Sequence, residues 1–225
     1  MKVINKNYRH EKKLLFALCV LLALLSCKER QPVAEEDVPG CSCPHCVICI
    51  QPYNGFTVQE AKKLVPKLEK EFGEWLFGGW EFKVMESKNL PKEAFVADRN
   101  RYKAWLILDS LKKNPKKDGG IDVVYIGLTH EDICADIHGV KDYGIIGYSY
   151  SPSTVCVVSD KRLKDKSQVW KPMLHEFMHA FYGAKHCPKD DPTCFMKDAK
   201  GHGTFNVQNK LCDSCKRRVN SQSQN

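Results

Sequence analysis

The run His175-Glu176-Phe177-Met178-His179 places two imidazoles and a carboxylate within one short stretch. On a helix, positions four apart share a face and lie about 6 Å apart along the axis. Both rings can then reach one metal ion. Glu176 follows the first imidazole and is placed to accept a proton from water. Gly183 can take the left-handed conformation that ends a helix without steric cost. The chain can then turn and bring His186 to a third coordination position. Three protein ligands leave one position open, as a catalytic zinc site requires and a structural site does not. Zinc lowers the pKa of water it binds toward about 7, and Glu176 can take that proton and pass it to a leaving amine. A His-Glu-His pattern alone can arise by chance on a buried helix. The glycine and the third histidine at these offsets make it specific.

His186 is followed at once by Cys187, and then come Cys194, Met196, Cys212 and Cys215. This resembles the archaemetzincin family, whose signature runs from the three-histidine motif into cysteine, cysteine-x-methionine and a final C-x-x-C. The first cysteine gap is longer here and the second shorter than the family tends to have. Those are loop-length differences, and every motif residue is present. The resemblance extends to Ile50-Gln51-Pro52, Leu90-Pro91 with Ala94-Phe95, Arg99 to Tyr102, and Thr129 to Asp132. It continues through Gly144 to Gly147 and Val155 to Ser159 with Arg162-Leu163, covering roughly residues 47–217. It implies that His175, His179 and His186 bind a catalytic zinc, that Glu176 is the base, and that Met196 forms a methionine turn beneath the metal. It also implies a second, structural zinc on Cys187, Cys194, Cys212 and Cys215. Four thiolates make a closed tetrahedral site, and C-x-x-C supplies a natural pair of ligands. The competing readings of those cysteines are disulfides, which form outside the cytoplasm, and a redox pair at Cys212 and Cys215.

Elements must hold these groups in place. Val47 to Ile50 reads as a buried strand. Thr57 can cap a helix to about Phe72, with Glu60 completing a capping box. Trp80 to Met85 alternates as a strand, and Asp98 can start a second helix to about Lys113. Ile121 to Leu128, Tyr143 to Tyr150 and Thr154 to Ser159 read as further strands, and Ser167 to Tyr182 as the helix that carries the histidines. This order implies an α/β or α+β domain with one main sheet. With the resemblance it becomes a metzincin-like α/β domain: one mixed twisted sheet, an active-site helix and a small zinc-bound C-terminal lobe.

The chain has 225 residues and a formal charge of +8. Lys2, Lys6, Arg9, Lys12 and Lys13, less Glu11, carry half of that charge, and Leu14 to Leu25 is an apolar run. The run is too short to span a bilayer comfortably and fits a signal-peptide core. It ends in Leu24-Leu25-Ser26-Cys27, which resembles a bacterial lipobox with Cys27 lipidated. The expected divisions are a lipoprotein signal peptide at 1–27, a polar tether at 28–45 and a catalytic lobe at 46–186. A cysteine zinc-binding lobe at 187–219 and a disordered tail at 220–225 follow. The mature chain is only mildly basic, which gives little support to nucleic-acid binding.

The expected protein is an envelope lipoprotein, periplasmic or cell-surface, holding two zinc ions. It hydrolyses peptide bonds of a peptide or protein substrate with zinc-activated water. The alternative is a zinc- or peptide-binding lipoprotein with little turnover. Cys41, Cys43, Cys46 and Cys49 have no assigned role; a metal site, a disulfide framework and, for Cys49, a core position all remain open. Cys134 and Cys156 read as core, His130, His138 and His202 as surface or satisfied core, and Trp75, Phe77 and Trp80 as a core cluster.

Overall fold

Val47-Ile48-Cys49-Ile50 can be buried on both faces of an extended strand, because each face receives an apolar side chain. In the computed structural model, which describes residues 45–137, 139–198 and 205–222, this run lies within β1 (His45–Tyr53), buried throughout after His45. The strands that follow are β2 (Gly79–Val84), β3 (Phe95–Val96), β4 (Arg101–Lys103), β5 (Lys117–Asp118) and β6 (Ile121–Thr129). Next come β7 (Ile133–Ile137), β8 (Val140–Ile145), β9 (Gly147–Ser149) and β10 (Val155–Ser159). The helices are α1 (Val58–Trp75), α2 (Ala104–Leu111), α3 (Trp170–Tyr182) and α4 (Asp213–Gln222). Residues 1–27 with Cys27, the tether up to 44 with Cys41 and Cys43, and His138 and His202 lie outside the described residues. Among the described residues, no helix is long and apolar enough to cross a membrane.

The main sheet runs β2-β1-β6-β10-β9, parallel except for β9, with β5 paired to the start of β6. Cys46, Ile48 and Ile50 of β1 point to a core shared with Leu68 and Phe72 of α1 and Met173 and Phe177 of α3. Val47 and Cys49 point to the opposite face, where α2 packs Ile107, Leu108 and Leu111. Helices on both faces of a mostly parallel sheet make this an α/β domain.

The expected cap of α1 is present: the Glu60 amide donates to Thr57 Oγ1 at 3.1 Å, and the Thr57 amide donates to Glu60 Oε2 at 2.8 Å. Two other expectations are corrected. The helix over 98–113 is shortened to α2, because Asn100 takes a left-handed conformation at φ 50° that breaks it. Residues 101–103 pair as a strand instead. The stretch 143–150 divides at Ile146: β8 pairs antiparallel with β7, and β9 crosses to β10. A second, four-stranded sheet, β3-β4-β7-β8, results beside the main one.

A carboxylate pins that second sheet. Asp132 accepts from Arg162 Nε at 2.6 Å and Arg162 Nη2 at 2.7 Å, and from Arg101 Nε at 2.8 Å. A side chain at Gly144 would overlap the Arg162 guanidinium. The bidentate pairing fixes direction as well as distance, and so orients the β7–β8 hairpin against the main sheet.

Among the described residues, the C-terminal segment packs into the main core. Phe195, Met196, Phe205, Leu211 and Val219 join the cluster that contains Phe72 and Phe177. Residues 220–222, expected in a disordered tail, are helical. Cys215 and Val219 sit one turn apart on α4 and are both buried, which holds that helix down.

Candidate metal centre and catalytic cleft

Helix α3 is buried along nearly its whole length, so its polar side chains need partners. His175 Nδ1 lies 2.6 Å from the Phe195 carbonyl oxygen, and His179 Nδ1 meets the Ala184 carbonyl oxygen. A carbonyl oxygen only accepts, so both rings carry a proton on Nδ1. Burial, with the neighbouring imidazoles adding to it, lowers His175 well below its ordinary pKa and His179 to about 4. Both rings are therefore neutral, and neither has a proton on Nε2. Those two Nε2 atoms face each other 3.0 Å apart. Two lone pairs at that distance repel unless a cation accepts both.

Gly183 ends α3 at φ 60° and ψ 21°, and the Ala184 amide returns to the Met178 carbonyl at 3.1 Å. This wrapped turn suits glycine because a Cβ is strained there. It presents the Ala184 carbonyl to His179 and carries the chain back. His186 then lies with its ring centre 4.7 Å from that of His179 and 5.4 Å from that of His175. One ligand atom from each of the three rings falls within 4.8 Å of the others. Asp198 Oδ2 stands 3.8 Å from His186 Nδ1, on the more exposed side of the cluster. Three imidazoles so arranged fit one tetrahedral metal ion with a position left open.

Glu176 lines the same cleft of about 420 Å³ as the three histidines. Ser149 Oγ donates to Glu176 Oε2 at 2.9 Å. Burial pushes the Glu176 carboxyl up to about 7, and the Ser149 hydroxyl pulls it back. A cation on the imidazoles would add a pull toward the ionised form. Gly147 is what lets Glu176 sit against β9: a Cβ there would fall 2.5 Å from Glu176 Cγ and 2.6 Å from Oε1. Ile137, Ile145 and Ile146 add apolar lining to the cleft.

Cys187, Cys194, Cys212 and Cys215 are buried, unpaired by disulfides, and bring their sulfurs within 4.8 Å of one another. Cys187 Sγ and Cys212 Sγ are 3.6 Å apart, and the Cys212 amide donates to Cys194 Sγ at 3.5 Å. A disulfide needs about 2.05 Å. The edge of a tetrahedron with metal–sulfur bonds of about 2.3 Å is roughly 3.8 Å. The spacing therefore fits four sulfurs around one ion. The two clusters are joined through three consecutive residues: Cys194 is a member of one, the Phe195 carbonyl holds His175, and the Met196 carbonyl accepts from the Cys187 amide at 2.7 Å. Met196 is itself buried.

Other sequence candidates fall elsewhere. Cys46 and Cys49 lie on opposite faces of β1, so they cannot share an ion. Cys134 and Cys156 are fully buried, and burial raises both thiols, Cys134 to about 11. His130 Nδ1 pairs with Asp160 Oδ2 at 2.9 Å and its ring stacks on Phe56, away from either cluster. Ser149, Gly147, Asp198 and Phe205 belong to the cleft and were not singled out by role in the sequence. The glycine-rich strand around Gly147 was the nearest signal.

No family model matches the chain. It is 28% identical over 150 residues to the archaemetzincin of Nanoarchaeum equitans, spanning 65% of this chain and 79% of that protein. Among solved structures it resembles the archaemetzincin of Methanopyrus kandleri, with a TM-score of 0.66 and 25% identity over 79% of this chain and 95% of that one. The archaemetzincin of Archaeoglobus fulgidus shares the fold, with a TM-score of 0.59 and 22% identity over 77% of this chain and 99% of that one. Fold, cleft and histidine cluster together define a zinc metallopeptidase, a hydrolase. Within that class, the chain is similar in sequence and fold to the archaemetzincins.

Proposed function

We propose that His175, His179 and His186 hold a catalytic zinc ion, with Glu176 as general base for hydrolysis of a peptide bond. We further propose a second, structural zinc on Cys187, Cys194, Cys212 and Cys215, with Met196 forming the methionine turn beneath the histidine cluster. The observation that carries the reading is the pair of facing Nε2 atoms, 3.0 Å apart, on rings whose Nδ1 protons are already committed to carbonyls. That is a site built for a cation. Zinc bound there supplies a Lewis acid that polarises the scissile carbonyl and acidifies water.

The chain's own groups do the rest. Glu176 takes a proton from the water that adds to the carbonyl carbon, and returns it to the amine nitrogen as the carbon–nitrogen bond breaks. Ser149 fixes the carboxylate through Oε2 and leaves Oε1 for the proton. The edge strand β9 lines the cleft, and an extended peptide can add to such an edge through main-chain hydrogen bonds. That supports a peptide or protein substrate.

The test is hydrolysis of a pool of quenched fluorescent peptides by the purified chain. Cleavage should stop when phenanthroline strips the metal and return when zinc is restored. Cleavage that continues in the metal-free chain would contradict the reading.

We also propose that Cys27 is lipidated and anchors the mature chain to a bacterial envelope membrane. The basic start, the apolar run and the Leu-Leu-Ser-Cys sequence support this. The cell-expressed protein should enter the detergent phase on Triton X-114 partition, and C27S should remain in the aqueous phase. Equal partition of both would sink the anchor.

A further inference from the structure

Lys171 is only 6% exposed, although it carries a full charge on a long side chain. Its Nζ donates to the Phe205 carbonyl at 2.8 Å and to the Gln208 carbonyl at 2.6 Å. It also lies 5.5 Å from the centre of the Trp170 ring. Burial lowers its pKa, and the nearby Glu71 carboxylate works against that shift. Two carbonyl acceptors and an aromatic face are the surroundings that keep a buried ammonium charged.

The segment it holds is part of the cleft. Phe205 is buried, lines the cavity beside His175 and Glu176, and stands edge-on to the His175 ring at 6.2 Å. Lys171 sits one helical turn before His175, on the same face of α3. One rigid helix thus carries a histidine of the cluster and the ammonium that fixes the wall beside it. The 205–208 segment follows residues outside the described part of the chain and has little regular structure of its own. Those two hydrogen bonds, the burial of Phe205 and Gln208, and a bond from Gln208 Nε2 to the Lys197 carbonyl at 3.4 Å hold it at this point.

We propose that Lys171 is a positioning residue for substrate binding: by anchoring the Phe205 and Gln208 carbonyls, it sets the Phe205 wall of the cleft. It touches neither substrate nor reacting atoms, and acts through Phe205. This rests on the metallopeptidase reading, so the test uses binding and needs no turnover.

Two probes separate the effects. Acetohydroxamate reaches little beyond the metal, whereas a dipeptidyl hydroxamate also fills the cleft. In the zinc-loaded chain, K171M should weaken the dipeptidyl probe about tenfold and leave acetohydroxamate within about twofold, the scale of losing one apolar wall contact. K171R, which keeps charge and donors, should recover most of the loss. F205A should weaken the dipeptidyl probe alone, and K171M/F205A should be no worse than F205A, because both act on one contact. If K171M fails to fold, K171Q takes its place, and F205A carries the same selectivity test. Unchanged binding of the dipeptidyl probe, equal loss of both probes, or additive effects in the double variant would overturn the proposal. A wild-type chain that binds neither hydroxamate would count against the metallopeptidase reading instead.

Discussion

Glu176→Gln should lower peptide turnover by about 10³–10⁴-fold and leave the metal content unchanged. The size is that of a lost general base, or about 4–5.5 kcal/mol on the barrier. The amide keeps the shape of the side chain and can still meet Ser149 Oγ, so cleft geometry is preserved. The imidazoles keep their own carbonyl partners, because neither Phe195 nor Ala184 contacts Glu176 through those bonds. The result also separates an enzyme from a metal-dependent binder. A binder would bind peptide equally well in both forms and show no turnover in either. The measurement is steady-state cleavage of one peptide by wild type and E176Q, with zinc counted in the same samples. Equal turnover would remove Glu176 from the mechanism.

Replacing Cys212 and Cys215 together with serine should have the second large effect, and it should reach beyond the cysteine cluster. Isolated structural zinc sites contribute roughly 10–16 kcal/mol to folding. The loss is smaller in this chain, because Phe195, Leu211 and Val219 remain packed in the main core. It should still amount to several kcal/mol, read as a lower denaturant midpoint. The same variant should weaken the histidine site about 10–100-fold for metal, the usual cost of disturbing a ligand's hydrogen-bond partner. The link is the Cys194-Phe195-Met196 stretch, where the Phe195 carbonyl orients His175. Metal titration followed by competition with a chromophoric chelator measures it. Unaltered affinity at the histidine site would show that the two clusters are independent.

The histidine cluster was legible because its geometry is local. Three residues between His175 and His179, and a glycine able to turn at Gly183, fix most of it by helical repeat alone. The capping box at Thr57 and Glu60 is local in the same sense. What was not legible depends on distant pairings. Ser149 meets Glu176 across 27 residues, and Lys171 meets Phe205 and Gln208 across 34 and 37. In sequence, Lys171 is an ordinary helix position. The second sheet was missed for a related reason: β3 and β4 are two and three residues long, too short for any period to register. The division at Ile146 was hidden because β8 and β9 together read as one strand, while their partners β7 and β10 lie in different sheets. The four cysteines had open alternatives in sequence, and the close spacing of their unpaired sulfurs fits a metal.

The most direct test is a count of zinc per folded chain by native mass spectrometry, for wild type and for H179A. Two ions in the wild type and one in the variant, with all four cysteine thiols reduced, is the outcome expected of one open imidazole site and one closed thiolate site. A wild-type chain carrying no zinc, a variant that keeps both ions, or a mass showing the C-terminal cysteines oxidised in pairs would contradict it.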